Sequence, residues 1–364
     1  MLKIAHTADN HIGMKFNKYG PLKKDLVEAR FKSLKKLVDK ANDRCCDLLV
    51  ISGDLFDSIN IARPDIEKTV GILKEFSGEY VLIIPGNHDF YSGNEDLWKI
   101  FSSLSPLNFI LLNNNLPFTY KKDEITYIFY PFYCDSKHSK ENKLSTYNDK
   151  DYDNNFYKIG IAHGAVEGLS LDMEGRYFYM SNFELENSKM DLWLIGHTHT
   201  TYPKENSLGF SRVLNPGTHE PDGMNYREAG GFFYIEIDDK VNFEFIESST
   251  FRFYDFNYRL GEVNTIIKLK DELLSKSNKN NLVRINLTGT ISLEDYEIKD
   301  EIFRELKDAF FYLDIRTDRL KVKLGADKIK EKYIEGSFPY NLLMNIEDDK
   351  AVQLAHEILE EAKK

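Results

Sequence analysis

The sequence predicts a mixed α/β sandwich, and three features of the residue pattern lead to that fold class. Short apolar runs bounded by turn residues recur through the first 250 residues, and their β-branched and aromatic residues favour strands. Amphipathic segments separate the early runs, as in parallel β-α-β units. The later runs have no helical segments between them and are predicted to form antiparallel pairs, so the sheet should be mixed.

The individual elements follow from these patterns. The predicted strands are residues 2–5, 48–51, 81–84, 109–112, 125–130, 159–162, 192–195, 213–215, 232–237 and 241–246. Residues 24–41 are a predicted helix, because one face carries Val27, Phe31, Leu34 and Val38 at helical spacing. Pro64 is suited to the first turn of a second helix, over residues 64–76.

Residues 1–250 are predicted to form one domain, residues 251–261 a connector, and residues 262–364 a small α/β domain. Its predicted elements are helix 262–277, strand 282–287, helix 293–310, strand 319–324 and a final helix from Lys350. Asp348 or Asp349 can cap this final helix. Its apolar stripe is expected to pack on its own domain, and it consists of Val352, Ala355, Leu359 and Ala362.

Charge and motif content limit the function classes. Lys and Arg total 48 and Asp and Glu total 59, so the formal charge is −11. An acidic balance argues against a free-standing nucleic-acid binder. The sequence has no Gly-Lys dipeptide, which excludes an ATPase of the P-loop type.

The sequence also predicts a cellular compartment. No apolar run approaches the roughly 18 residues that a transmembrane helix needs, and the first residues lack the apolar core of a signal peptide. The three cysteines, Cys45, Cys46 and Cys134, have no metal-binding spacing, and their odd number is typical of a reduced protein. We therefore expect a cytoplasmic protein with no membrane association.

Five predicted strands are each followed by a polar motif. The motifs are Asp9-Asn10-His11, Gly53-Asp54-Leu55-Phe56-Asp57, Gly86-Asn87-His88-Asp89, His163-Gly164 and Gly196-His197-Thr198-His199. In open α/β sheets, sites form beyond the carboxyl ends of the strands. Taken singly, each motif is more often a structural turn, but five of them in order favour a metal centre.

The candidate metal ligands are Asp9, His11, Asp54, Asn87, His163, His197 and His199. In extended backbone, residues i and i+2 project to the same side, so Asp9 and His11 can reach one metal. Asp54 can bridge two cations with its two oxygens. Mixed oxygen and nitrogen ligands suit Mn²⁺, Fe²⁺ or Zn²⁺, and two adjacent metals stabilise the attacking and leaving oxygens of a phosphoryl displacement.

The order D-x-H, G-D-x-x-D, G-N-H-D, H and G-H-x-H resembles the signature of the calcineurin-like metallophosphoesterases over residues 1–200. The resemblance implies a four-layer α/β/β/α sandwich. It also implies that His88 protonates or orients the leaving group, and that the Asp57 carboxylate pairs with His88. The ligands that it implies for one metal are Asp9, His11, Asp54 and His199, and those for the other are Asp54, Asn87, His163 and His197.

Finer features are similar to those of SbcD-type DNA-repair exonucleases. These features are His6-Thr7-Ala8-Asp9-Asn10-His11-Ile12-Gly13 at the start and Asn215-Pro216-Gly217-Thr218 after the G-H-T-H motif. This resemblance implies a Mn²⁺-dependent DNA exonuclease and endonuclease that acts in repair. It further implies a coiled-coil, SMC-like ATPase partner, a capping role for the small domain and, commonly, a homodimer.

The SbcD-type resemblance makes Lys15 and Lys18 candidate contacts for the DNA backbone, since they directly follow the D-x-H motif and lysines dominate phosphate binding. The alternative is that they are ordinary solvated lysines, which is the interpretation that we favour for the lysines of helix 24–41. Two other functions stay open. One is a phosphodiesterase for small nucleotides, and the other is a non-catalytic scaffold for DNA ends.

Overall fold

The computed structural model describes residues 1–144, 156–170, 174–204, 212–226 and 228–362. The chain divides into two compact units, Met1–Arg252 and Phe253–Lys364. The strands of the larger unit are β1 (Leu2–Thr7), β2 (Leu48–Ser52), β3 (Tyr80–Ile84), β4 (Phe109–Leu111), β5 (Phe118–Lys122), β6 (Ile125–Phe132), β7 (Phe156–His163), β8 (Leu192–Gly196), β9 (Val213–Leu214), β10 (Gly231–Ile237) and β11 (Val241–Glu247). Its helices are α1 (Lys23–Asp43), α2 (Arg63–Leu73), α3 (Asp96–Leu104) and α4 (Asn182–Asn187), with a 3-10 segment (Asn17–Leu22) before α1.

These strands form two sheets. The first has the order β11-β10-β1-β2-β3-β4, and the second has the order β5-β6-β7-β8-β9. The antiparallel pairing predicted for the later runs is confirmed for β10 and β11. It is wrong for β6 to β9, which are parallel, because each connection has the dozen or more residues that a parallel crossover needs.

Apolar side chains on alternate faces of the strands build the layers. In β2, Leu49 and Ile51 face a core shared with the helices α1, α2 and α3. Leu48 and Val50, on the opposite face, pack in the core between the two sheets. Beyond the second sheet, Trp193 packs in a cluster with residues of α4 and nearby loops. The predicted four-layer α/β/β/α order is therefore confirmed.

The smaller unit has its own sheet of β12 (Arg252–Leu260), β13 (Asn281–Ile291) and β14 (Tyr312–Val322). Its helices are α5 (Ile266–Leu274), α6 (Leu293–Lys307), α7 (Ala326–Lys332), α8 (Phe338–Met344) and α9 (Asp349–Glu361). Residues 251–261, predicted to be a connector, instead contribute strand β12 to this sheet. The physical reason is their aromatic content, since Tyr254 and Tyr258 pack against the core under the helices.

The last helix packs on its own unit, as the sequence predicts. Val352, Ala355 and Leu359 join a cluster with residues of α7 and α8. Asp348 caps α9, since its carboxylate accepts a hydrogen bond of 2.8 Å from the Ala351 N–H. In the described part of the chain, no helix combines the length and the apolar character that crossing a bilayer requires.

Candidate metal centre

The carboxyl ends of five strands, three from the first sheet and two from the second, meet at one edge of the larger unit. Asp9, Asp54 and Asn87 lie in the loops after β1, β2 and β3, whereas His163 ends β7 and His197 follows β8. Nε2 of His163 lies 3.3 Å from Asp54 Oδ2. The two sheets therefore bring side chains from five separate motifs into one cluster.

Asp9, His11 and His199 form the first group of donor atoms. Nε2 of His11 lies 3.1 Å from Nε2 of His199, and these two nitrogens lie 3.9 and 3.8 Å from Asp9 Oδ1. Asp54 Oδ2 is 3.7 Å from His11 Nε2. Atoms bound about 2.1 Å from one metal lie about 3–3.5 Å apart, so this group has nearly the spacing of a single coordination sphere.

Asn87, His163 and His197 form the second group. Oδ1 of Asn87 lies 3.0 Å from His163 Nε2 and 3.0 Å from His197 Nδ1. Asp54 Oδ2 completes this group through its approach to His163 Nε2. All seven predicted ligands thus lie in two adjacent groups that share one carboxylate.

Asp54 joins the two groups in a different way from the one the sequence suggested. We expected each of its oxygens to reach one cation. Instead, Oδ1 accepts a hydrogen bond of 2.8 Å from the His88 N–H, and Oδ2 alone faces both His11 and His163. A single oxygen of Asp54 therefore faces both donor groups.

Hydrogen bonds outside the cluster determine which histidine nitrogens carry lone pairs. His163 Nδ1–H donates to the Ser52 carbonyl at 2.8 Å, and His199 Nδ1–H donates to the Asp222 carboxylate at 2.7 Å. In the neutral form of both rings, which is the form that binds a metal, Nε2 then holds a lone pair that faces other acceptor atoms. Acceptors at about 3 Å repel one another unless a cation lies between them, so this donor set fits divalent metal ions.

The charges of the pocket also favour a bound cation. Burial lowers the pKa of His199, but its hydrogen bond to Asp222 and the Asp9 carboxylate together raise that pKa to about 9. Burial alone would raise the pKa of Asp54, yet His163 and His11 hold it well below its usual range. The pocket therefore stabilises positive charge next to ionised carboxylates, which is the environment of a cation site.

The loops that carry the ligands have strained backbone. The φ angles are 51° at Asp9, 41° at His11, 52° at Asp54 and 105° at His197. Non-glycine residues in such conformations cost of order 1–3 kcal/mol each and cluster at functional sites. The four residues in these conformations are all predicted ligands whose side chains meet in the shared cluster.

Close backbone contacts explain why a glycine precedes both Asp54 and Asn87. A Cβ on Gly53, which has a φ of 85°, would collide with the His163 ring, and a Cβ on Gly86 would collide with the Asp54 carboxylate. Only glycine lets the backbone approach these ligands so closely.

Comparison with known proteins assigns this architecture to a family. Residues 2–201 match the model of the calcineurin-like phosphoesterases. The chain belongs to the calcineurin-like phosphoesterase family. The family predicted from the motifs is therefore confirmed.

The relatives of this phosphoesterase include an enzyme of unknown role, a nuclease component and a repair protein. The uncharacterised metallophosphoesterase YhaO of Bacillus subtilis (strain 168) is 26% identical over 259 residues, which are 67% of this chain and 60% of that protein. The SbcD component of the SbcCD nuclease of Staphylococcus saprophyticus is 26% identical over 233 residues, 58% and 61% of the two chains. The DNA double-strand break repair protein Mre11 of Archaeoglobus fulgidus is 23% identical over 363 residues, 91% and 77%. The match thus spans about three fifths of the first two relatives.

His88 of the phosphoesterase lies beside the first donor group, with its ring centroid 4.7 Å from that of His11. His88 Nδ1–H donates to the main-chain carbonyl of Asp57 at 3.0 Å. The predicted pairing of His88 with the Asp57 carboxylate is thus replaced by a main-chain contact. The carboxylate oxygen Oδ1 lies 3.5 Å from His11 Nδ1 instead, so the Asp57 side chain faces the loop after β1.

The two lysines proposed from the sequence have exposed side chains. Lys18 lies close to the metal edge, since its Nζ would be 3.5 Å from a Cβ on Gly223, the residue after the His199 partner Asp222. Lys15 lies between His11 and the 3-10 segment. The positions suit a contact with an anionic substrate at the site.

Sequence reasoning missed a buried arginine that joins the loops around the site. Arg30 is 1% exposed, and its guanidinium donates to the carbonyls of Asn10 at 2.8 Å and Glu220 at 3.1 Å, and to Thr218 Oγ1 at 3.1 Å. The sequence did carry a signal, because Arg30 occupies the predicted apolar face of helix 24–41, three residues after Val27. A charged residue at such a position calls for a buried partner.

Asp222, the partner of His199, was also missed. It lies in a Pro-Asp-Gly turn, a pattern that by itself predicts only a turn. Only the folded chain shows that this turn lies beside His199.

Proposed function

We propose that this chain is a dinuclear metal phosphodiesterase that cleaves DNA as a Mn²⁺-dependent exonuclease and endonuclease. The observation that carries the proposal is the pair of adjacent donor groups that share Asp54 Oδ2. Family membership supports phosphoester hydrolysis. The nuclease and repair relatives support DNA as the substrate.

The two donor groups would each hold one metal. The first site consists of Asp9, His11, Asp54 and His199, and the second consists of Asp54, Asn87, His163 and His197. When bound, two metals supply positive charge for the attacking and leaving oxygens of an in-line displacement at phosphorus. Asp54 would contribute negative charge to both sites through Oδ2.

His88 and Asp57 have roles of their own in this proposal. The Asp57 carbonyl accepts the His88 Nδ1–H, which orients the ring and leaves Nε2 to hold or release a proton. His88 would give that proton to the departing oxygen of the DNA strand. The Asp57 carboxylate, beside His11 Nδ1, would help to fix the His11 ring.

The assembly in the cell is part of the same proposal. We infer that the chain acts with a coiled-coil, SMC-like ATPase, because the sequence has no P-loop of its own and an acidic protein gains from a partner that loads DNA. A homodimer and a cytoplasmic location belong to the same expectation. Lys15 and Lys18 would contact the DNA backbone.

End-labelled linear duplex DNA tests the proposal directly. The reaction is run with Mn²⁺, with EDTA, with His88→Ala and with His356→Ala, a matched control in α9. We expect shortening of the DNA that needs Mn²⁺, is lost in His88→Ala and is retained in His356→Ala. Metal analysis of His88→Ala should still find two Mn²⁺ per chain.

The other outcomes separate the alternatives. Hydrolysis of bis(p-nitrophenyl) phosphate and of cyclic nucleotides without cleavage of DNA would contradict the nuclease and favour a small-nucleotide phosphodiesterase. A metal-free protein that binds DNA ends without cleaving them would favour the scaffold. Loss of metal in His88→Ala would make His88 a ligand rather than a proton donor.

A further inference from the structure

We propose that Asp222 is a positioning residue that holds the His199 ring in the orientation needed to bind metal at the first site. The inference rests on the metal centre of the proposed function and extends it to a residue outside both donor groups. The contact joins His199 Nδ1 and Asp222 Oδ2 at 2.7 Å.

The contact selects one tautomer of His199. A carboxylate accepts hydrogen bonds, so in the neutral ring Nδ1 carries the proton and Nε2 carries the lone pair. Nε2 is the nitrogen that lies 3.1 Å from His11 Nε2 and 3.8 Å from Asp9 Oδ1. Asp222 therefore presents the metal-binding nitrogen of His199 to the other ligands of the first site.

The need for a strong partner follows from a comparison with His163. His163 is buried, and a main-chain carbonyl is sufficient to hold its Nδ1–H. The His199 side chain is 32% exposed, so packing restrains its ring less. A charge-assisted hydrogen bond to a carboxylate is shorter and about twice as strong as one between neutral groups, which compensates for the missing packing.

The loop that carries Asp222 is itself anchored. Two residues before Asp222, the Glu220 carboxylate accepts hydrogen bonds of 2.7 and 2.8 Å from the N–H groups of Thr250 and Phe251. The Glu220 carbonyl accepts from Arg30, whose guanidinium also donates to the Asn10 carbonyl beside Asp9. The carboxylate that holds His199 is thus tied to the same support as the loop of Asp9.

Calorimetric titration of the metal-free protein with Mn²⁺ tests this role. Wild type is compared with Asp222→Asn, which keeps the shape and removes the charge, and with Asp96→Asn, an exposed control on α3. Loss of a carboxylate behind a ligating histidine weakens metal binding about 10–100-fold. We expect that loss at one of the two sites in Asp222→Asn, no change at the other site, and wild-type binding in Asp96→Asn.

Two further readouts separate positioning from a structural role. The metal-free Asp222→Asn protein should keep the wild-type circular dichroism spectrum and a cooperative thermal transition. In DNA cleavage, the half-saturating Mn²⁺ concentration should rise by the same factor as the dissociation constant, with the maximal rate approaching that of wild type. If Asp222→Asn does not fold, Asp222→Ser provides the same comparison with a smaller side chain.

Each remaining outcome has a distinct meaning. Wild-type affinity at both sites in the folded variant would overturn the role of Asp222 and leave the metal centre intact. Weakening of both sites together with loss of the cooperative transition would also overturn it, since that result indicates a structural role. A wild-type protein that binds no Mn²⁺ would overturn the proposed function itself, and the role of Asp222 with it.

Discussion

The larger and the smaller unit are both α/β structures, yet they differ in how many buried polar side chains and strained backbone angles they contain. Every non-glycine residue with a left-handed φ among the described residues lies in the larger unit. So do almost all buried polar side chains of the described chain, and Asn281 is the exception in the smaller unit. Each group of side chains suited to a metal ion, within that same part of the chain, also lies in the larger unit.

The difference indicates that the larger unit contains residues that lower its stability but serve the metal centre. Strained φ angles and buried charges lower stability. Four of the nine non-glycine residues described with a left-handed φ, namely Asp9, His11, Asp54 and His197, lie together with buried charges at one sheet edge, and this combination indicates a site. The smaller unit follows ordinary packing rules, with apolar side chains on one face of its sheet and side-chain caps at its helices, such as Thr265 and Ser292. Changes in the two units should therefore have different consequences.

The largest effect is expected for Asp54→Asn. The amide removes the negative charge that the two donor groups share, so we expect loss of both metals and of metal-dependent phosphodiester cleavage. Saturating Mn²⁺ at about 100 times its dissociation constant should stabilise wild type by about 2.7 kcal/mol for each bound ion. The variant should gain nothing in thermal denaturation with and without Mn²⁺.

Asp300→Asn, on the exposed surface of the smaller unit, is the matched control and should respond to Mn²⁺ as wild type does. If Asp54→Asn still binds two Mn²⁺ per chain with wild-type affinity, the metal-binding role assigned to Asp54 in the larger unit is wrong.

The same contrast explains what the sequence could predict. The ligand-bearing motifs were recognisable because each follows a short, continuous apolar run, as seen at Gly53-Asp54 after β2 and Gly86-Asn87 after β3. Helix 24–41 was recognisable from its apolar stripe. These signals are local, and local patterns can be recognised in a sequence without knowledge of the fold.

The contacts that join distant loops could not be predicted. Asp222 meets His199 across 23 residues of chain, and Arg30 meets Glu220 across 190. Neither pairing has a periodic signal. The strand direction of β6 to β9 was mispredicted for a related reason, because the sequence between these strands carries no long amphipathic pattern that would predict a crossover helix. Strand β12 was missed because its charged residues hide an alternating aromatic pattern.

An intermediate effect, confined to stability, is expected in the smaller unit. Leu306 of α6 is fully buried against the sheet, and Leu306→Ala leaves a cavity that should cost about 2–5 kcal/mol. Urea unfolding should show this loss in the free energy of unfolding. Mn²⁺ affinity at low denaturant should stay at its wild-type value, and a parallel loss of metal binding would show that the two units are not energetically separate.

The smallest effect is expected at Lys15 and Lys18, where the larger unit meets solvent. Each phosphate contact with duplex DNA contributes about 0.9 to the slope of log affinity against log salt concentration. If both lysines touch the backbone, Lys15→Ala/Lys18→Ala should reduce that slope by about 1.8, with the largest loss of affinity at low salt. Binding is measured by fluorescence anisotropy in the His88→Ala background, so that the DNA stays intact.

The control for these lysines must separate position from net charge. Lys24→Ala/Lys32→Ala removes the same charge from exposed positions on α1 and should leave the slope unchanged, because general electrostatic attraction falls off within about 10 Å at 0.1 M salt. An equal change in both double variants would mean that DNA responds to the charge of the whole surface. A change only in the Lys15 and Lys18 variant would place the DNA backbone beside the loop of Asp222, at the solvent-exposed boundary of the metal edge.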